Sequence, residues 1–573
     1  MLTRQISSLF VILSLFLAGG EARTPSVSAD LIVFNGKIVI SARASDIAEA
    51  MAVRDERILA VGRTEDILRL AGPRTTRVDL HGRTVIPGLI DTHTHALDWA
   101  KSVVRDELDL SYPKISKIAD VVKAVAERAG KLQPGQWIAG TSWDDAKLAE
   151  RRYITRQDLD AVAPANPVYL VHVSGHLAAA NSAALELAGI TAATPDPQGG
   201  VIEKDARGQP TGVVKDTAME LVGRVLPAQT REEAIKAVAH VSRAAAEVGL
   251  TTIHDIALTP DDFSAYQEAY RRGALKIRVH MAPLVGKPQD VERLEAMGVH
   301  TGFGDAHLKF GPVKIFTDGG MGARTIAIYP PGVKGEPENV GLLVWKSEDL
   351  ERTQQRLAAM GWQLATHAIG DRAIDQVLDS YAKIAGLHAG RELRNRIIHC
   401  GIATPAIQKR IKELSVLVDS NPPFVYWIGS WFEKYGPERV RWSYPARSYF
   451  DNGIVVAGGS DVNVTPISPW WGIWAAVVRR EMRSGLVLAP EERVSVGQAL
   501  QMYTLNGAYA GFEEKIKGSL EEGKLADFVV LDRNLLEIPV DELKDVSVLA
   551  TFVGGQVVHQ SSKEDYAGRR TAR

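Results

Sequence analysis

Thr84-Val85-Ile86-Pro87-Gly88-Leu89-Ile90-Asp91-Thr92-His93-Thr94-His95 is the stretch that decides the fold. An apolar run passes through a Pro-Gly pair and ends in two histidines one residue apart. On a strand, side chains alternate between faces, so His93 and His95 point the same way. Two imidazoles converging at a strand end begin a transition-metal site. A His-x-His alone is more often surface chemistry, so the weight falls on how the other apolar runs of the chain end.

Seven further apolar runs follow, and four of them end in candidate ligands. Strand candidates at 85–90, 251–256, 277–281, 308–316, 363–366, 396–398, 416–418 and 454–457 alternate with stretches at 261–272, 347–360, 371–384 and 405–414 that carry apolar residues at helical spacing. Eight strands with helical crossovers predict an α/β fold, a (β/α)8 barrel whose active site lies at the strand C-termini. Lys314 and Asp318 fall at the end of the fourth strand, His367 of the fifth, His399 of the sixth and Asp461 of the eighth. Each has a bland reading alone: a buried His or Lys can be hydrogen-bonded, and Gly-Ser-Asp caps helices. The bland reading of the whole set needs five independent accidents at one end of one barrel.

Composition bounds the alternatives. A formal net charge of -2 over 573 residues, with 45% hydrophobic and 24% charged residues, is that of an ordinary globular protein and argues against nucleic acid or an anionic membrane as partner. Cys400 is the single cysteine, so an intrachain disulfide and a thiolate-cluster zinc site are both excluded. At the amino terminus, Arg4, the apolar run 9–17 and the small residues closing at Ala22 read as a secretory signal peptide over 1–22, too short for a comfortable membrane span. The expected destination is the periplasm or the medium, with no stable membrane association after cleavage.

Strand-and-turn patterns at 29–86 and 516–560 are each too small for a core of their own and are expected to pair into one β-sandwich, interrupted by the barrel at 87–515. Within 29–86, Asn35-Gly36 and Asp55-Glu56 read as turns between strands. The tail 561–573 is expected to be disordered. Residues 101–249 form an insertion after the first barrel strand, at the active-site end, and read as a substrate-covering subdomain. The apolar face of the sandwich could serve a homodimer.

The order His-x-His, Lys, His, His, Asp resembles the amidohydrolase superfamily. The details are similar to amidohydrolase family 3, the branch of the N-substituted formamide deformylases and YtcJ-like proteins. Carrying that resemblance are 87–95, Trp143-Asp144, Gly175-His176 with 181–185, 196–200, 249–255, 313–319, 367–371, Gly459-Ser460-Asp461 and 523–527. The chain departs from the pattern at Cys400, at Asn421 where Gln is commoner, and at Gly320 where Ser is commoner. All three lie near the expected substrate.

The resemblance implies one or two divalent ions, zinc first, held by His93, His95, His367, His399 and Asp461, with Lys314 bridging as a carbamate. Carbamate formation needs a neutral amine, which burial favours; without it a single-metal site is the better reading. Asp461 is the expected general base. His176, Trp143, Asp144, Asp318 and Arg324 are candidate contacts to a small-molecule substrate, Arg324 pairing with a substrate carboxylate or with Asp318. His254 and Asp255, ending the second strand, are candidate orienters of a metal-bound imidazole. Trp470-Trp471 line an entrance or pack helix to barrel, and His172, His240, His280, His300 and His307 read as structural. The leading function is hydrolysis of an amide-type C–N bond; an esterase or lactonase on the same site and a binding protein on a retired barrel remain alternatives.

Overall fold

The computed structural model describes residues 28–42, 46–387 and 392–562; the expected signal peptide and nearly all of the expected tail lie outside them. Eight parallel strands close a barrel. In order they are Leu89–Thr94, Leu250–Leu258, Arg278–Pro283, a fourth strand in two pieces (Leu308–Phe310 and Val313–Phe316), Leu364–Ala368, Arg396–His399, Leu417–Ser420 and Val456–Gly458. Parallel ladders join neighbours from the first strand to the fourth's first piece and from its second piece to the eighth. A parallel bridge between Leu284 and Lys314 links the two sets. The fourth strand breaks at Gly311-Pro312, where proline has no N–H to give a ladder.

Closure between the eighth and first strands is irregular and made near the site. Asp461 N–H donates to the His93 carbonyl at 2.8 Å and His95 N–H to the Val462 carbonyl at 3.1 Å. Asp91, fully buried, accepts from the backbone N–H of both His93 and Ser460 at 3.1 Å. Gly459 is required there, because a Cβ would stand 2.8 Å from the His93 Cβ. The crossover helices Pro260–Arg271, Ser347–Ala359, Asp371–Leu387 and Pro405–Glu413 bury their apolar faces against the barrel in the principal core.

The expected strand at 85–90 is two strands in two sheets. Thr84–Pro87 belongs to the terminal sandwich and Leu89–Thr94 to the barrel, with Gly88 between them. Gly88 packs so closely on the second strand that a Cβ would lie 2.2 Å from Thr251 Oγ1. The chain therefore enters the barrel with no linker.

Both chain ends build the sandwich. One sheet holds Arg57–Gly62, Ala50–Arg54, Ala29–Phe34 and Ala71–Asp79; the other runs from Gln556–Gln560 through Val548–Val553, Phe528–Leu531, Thr84–Pro87 and Lys37–Val39 to Ile47–Ala48. Leu31, Met51 and Val53 of the first face Ile38, Val85 and Phe528 of the second, with Phe528 stacked on Phe552 at 4.2 Å. Asp55 and Glu56, both at positive φ, form the hairpin turn. Asn35-Gly36 does something different, since the strands on its two sides lie in different sheets.

The insertion carries its own sheet of six strands, in the order Gly200–Lys204, Pro210–Asp216, Leu177–Ala180, Val168–His172, Ile138–Trp143 and Leu108–Asp109. It is joined to the first barrel strand by helix Ala96–Val104, which starts directly after His95.

Candidate metal centre

His93, His95 and Asp461 converge at the C-terminal end of the barrel. Asp461 Oδ1 lies 3.0 Å from His93 Nε2 and 3.5 Å from His95 Nε2. The three offer ligand atoms all within 4.8 Å of one another, a spacing compatible with nitrogen and oxygen donors each about 2.0–2.2 Å from one ion. His93 is fully buried, and its Nδ1 has no hydrogen-bond partner.

The other expected ligands surround this group. The His399 ring lies 4.8 Å from His93 and 4.6 Å from His367. Asn421 Oδ1 accepts from His399 Nδ1 at 2.7 Å, while its amide nitrogen donates to the Gly459 carbonyl at 3.1 Å. That second bond fixes which way the amide points, so His399 carries its proton on Nδ1 and presents a bare Nε2. His367 Nε2 faces the Gly319 carbonyl and Asp318 Oδ1, both at 3.2 Å, and its buried Nδ1 has no partner. Lys314 is buried with an unpartnered Nζ 4.2 Å above the Phe316 ring.

Burial sets the protonation of these groups. It holds His93, His367 and His399 well below the usual imidazole range, with the Lys314 charge adding to the effect on each. Neutral imidazoles are the form that binds a metal. Burial likewise brings the Lys314 ammonium down to about 7, against the opposing pull of Asp461 and Asp419. A lysine in that condition has a substantial share of neutral amine near neutral pH. Asp461 and His399 both sit at positive φ, 55° and 68°, a conformation that non-glycine residues adopt sparingly and that clusters at functional sites.

Above the group opens a cavity of about 510 Å³, lined by His95, His367, His399 and Asp461 and, from the insertion, by His176. Asp216 Oδ1 accepts from His176 Nδ1 at 2.8 Å. The pairing of Leu177 with Lys215 on adjacent antiparallel strands sets the two side by side. Nothing in the sequence reading pointed to Asp216; the signal available was a carboxylate closing an apolar strand, Val213-Val214-Lys215-Asp216.

Several expected contacts are placed elsewhere. Trp143 and Asp144 do not line the cavity: Trp143 is buried with Nε1 on the Leu170 carbonyl, and Asp144 accepts from Trp431 Nε1 at 3.2 Å. Trp143 packs in the insertion's own core, and Asp144 fastens the insertion to the segment after the seventh strand. Arg324 does not meet Asp318 either; it pairs with Glu336 and bonds Tyr153 Oη at 3.2 Å, outside the cavity. Asp318 does line it, but its carboxylate is taken up by the backbone N–H groups of Ala327, Ile369 and Gly370. Burial raises that carboxyl to about 7.

His254 and Asp255 touch none of the site imidazoles. The second strand runs on to Leu258, so both lie within it, one layer below its end. Asp255 instead accepts from the N–H groups of Ala96 and Leu97 and from Thr94 Oγ1, holding the first turn of the helix that follows His95. His254 stacks on His280 at 4.0 Å and takes a bond from Arg396 at 3.0 Å.

A barrel with this donor set at its C-terminal end is that of a metal-dependent hydrolase, and comparison with known proteins agrees. A sequence model of the amidohydrolase family (Amidohydro_3) matches residues 76–559. YtcJ of Bacillus subtilis is 31% identical over 527 residues, covering 90% of this chain and 97% of that protein. The N-substituted formamide deformylase of Arthrobacter pascens is 31% identical over 535 residues, 92% of this chain and 97% of the relative. Among solved structures, an uncharacterized metal-dependent hydrolase from Pyrococcus horikoshii superposes with a TM-score of 0.71 at 26% identity, over 89% of this chain and 99% of that one. The chain belongs to the amidohydrolase family and is a hydrolase acting on C–N bonds other than peptide bonds.

Proposed function

We propose that this enzyme hydrolyses the amide bond of a small N-substituted formamide or related N-acyl amine. The observation that carries the reading is the convergence of His93 Nε2, His95 Nε2 and Asp461 Oδ1, with His95 and Asp461 lining the cavity and His93 buried behind them, and with neutral imidazoles around them. These three would hold one divalent ion, zinc being the first to test, and His367 with His399 a second, with Lys314 between them as a carbamate. Bound there, a divalent ion supplies Lewis acidity that polarises the amide carbonyl and acidifies water near neutral pH.

The chain's own groups complete the reaction. The Asp461 carboxylate accepts the proton lost by the attacking water and returns it to the leaving nitrogen, so the amine departs neutral. Asp216 fixes His176 with its proton on Nδ1, leaving Nε2 to accept the amide N–H and orient the bond. The insertion limits access of bulk water from above. The neutral fraction of Lys314, substantial near pH 7, adds its amine to carbon dioxide and releases a proton, turning an orphaned donor into a carbamate. Export to the periplasm or medium belongs to the same proposal and is supported by the positive start, apolar core and small-residue close of residues 1–22.

The test is Asp461→Asn on a panel of N-alkylformamides, reading formate and amine release alongside metal content. Wild type should release the two products in equal amounts, and the variant should lose roughly 10²–10⁴-fold in kcat while keeping metal at His93 and His95. Retained turnover refutes the assignment of the base, and inertness of the metal-loaded wild type towards the whole panel refutes the substrate class.

A further inference from the structure

One wall of the cavity is the face of helix Ala96–Val104, on which Asp98, Trp99 and Ser102 follow His95 at spacings of three, four and seven residues. The chain then turns, and Glu107, whose backbone N–H bonds the Ser102 carbonyl, lines the cavity too. At 1.5 Å per helical residue, Ser102 stands about 10 Å along the helix from His95, and the Glu107 backbone is bonded back to it. Six of the lining side chains are carboxylates, and among the described residues no lysine or arginine lines the cavity.

Most of the six have partners. Asp461 belongs to the metal group, and Asp318 is held by backbone amides. Asp98 pairs with Lys101 at 2.9 Å, and the exposed Glu220 meets Arg224 at 3.4 Å. Two do not fit that account. The Glu107 side chain makes no hydrogen bond and no ion pair within 4 Å: Arg105 acts on it only through its charge, more weakly than burial, while its Nη2 goes to the Pro227 carbonyl. Asp216, only 4% exposed, uses Oδ1 on His176, and its Oδ2 has no partner. Trp99, Phe316 and Trp345 supply aromatic lining. A partly desolvated carboxylate without a partner is costly, and carboxylates with aromatic faces are what recognise an organic cation.

We propose that the substrate carries a positive charge on its amine portion: an N-acylated diamine or other aminoalkyl amide. Its cationic end docks at Glu107 while its acyl carbon reaches the His93, His95 and Asp461 group. The proposal rests on the hydrolytic reading of the site and names which amides it takes. Arg324, outside the cavity, offers nothing to an anionic substrate.

The experiment compares three formamides of matched length on the zinc-loaded enzyme: N-(6-aminohexyl)formamide, N-hexylformamide and 6-formamidohexanoate. The expected order of kcat/KM is cation, neutral, anion, with the cation ahead of the neutral compound by about tenfold at low salt and the gap narrowing as salt rises. Glu107→Gln should shrink the cation-to-neutral ratio by about tenfold. Equal rates for cation and neutral compound, a preference for the anion, or a ratio untouched by Glu107→Gln overturns the proposal. Binding of hexyltrimethylammonium, which cannot ligate a metal, is measured by calorimetry against 1-hexanol. If none of the amides is hydrolysed, the hydrolytic reading fails, and the calorimetry still decides: tighter binding of the cation upholds a cationic ligand, and equal binding rejects it.

Discussion

Asp216→Asn is the perturbation that most directly probes how the insertion serves the chemistry. The carboxylate accepts from His176 Nδ1 at 2.8 Å and is almost fully buried, so the hydrogen bond is charge-assisted and shielded from water. An asparagine of the same shape can turn its amide nitrogen towards Nδ1, which moves the imidazole proton to Nε2 and makes a donor of the atom that should accept the substrate N–H. Hydrogen bonds to charged groups contribute about 1.5–3 kcal/mol, which at 1.36 kcal/mol per factor of ten is roughly 10- to 150-fold. The loss should appear in kcat/KM for N-alkylformamides, measured by amine release. Metal content should be unchanged, because Asp216 touches none of the metal-group residues. Asp216→Glu should recover little, since the cavity wall at Gly319 comes close to the carboxylate (a Cβ there would be 2.7 Å from Asp216 Oδ1). A variant within threefold of wild type would refute the orienting role of the pair, and one that lost metal would show that the insertion shapes the metal group instead.

Two other perturbations follow from the contacts around the barrel. Asn421→Ala removes the acceptor that fixes the His399 proton on Nδ1; metal affinity should fall about 10- to 100-fold, read by competition with a chromophoric chelator, and unchanged affinity would contradict the tautomer assignment. His280, brought down to about 3 chiefly by burial, makes the fold sensitive to acid. Below about pH 6.5 the unfolded chain binds a proton at this residue that the folded chain does not, so stability falls as pH drops from there towards 3. In His280→Gln, urea unfolding between pH 6 and 5 should lose up to about 1.4 kcal/mol per pH unit of that dependence; an unaltered slope would contradict it.

The barrel was legible because its strands are apolar runs that end in polar residues, a pattern local to each segment. Helix periodicity was equally local, and the predicted 347–360 and 405–414 match Ser347–Ala359 and Pro405–Glu413 to within a residue at either end. What failed were features decided by partners distant in sequence. The run across Pro87-Gly88 looks continuous, yet the strands it pairs with belong to two different bodies. His254 and Asp255 were misplaced by a strand end read two residues early, which in a barrel means a different layer. Trp143 and Asp144 were read as substrate contacts because they sit in a distinctive motif, but the motif meets Trp431 nearly three hundred residues away. Glu107 carries no local signal and Asp216 only that of a carboxylate closing an apolar strand; strand pairing in the insertion and a helix pointing out of the site put them in the cavity.

The measurement that tests the central claim is metal content per chain of the purified protein, taken with activity after chelation and after zinc is restored. The account predicts one or two tightly bound divalent ions, loss of amide hydrolysis on their removal, and recovery on their return. A chain that binds no divalent ion, or that hydrolyses its amides at full rate without one, would contradict it.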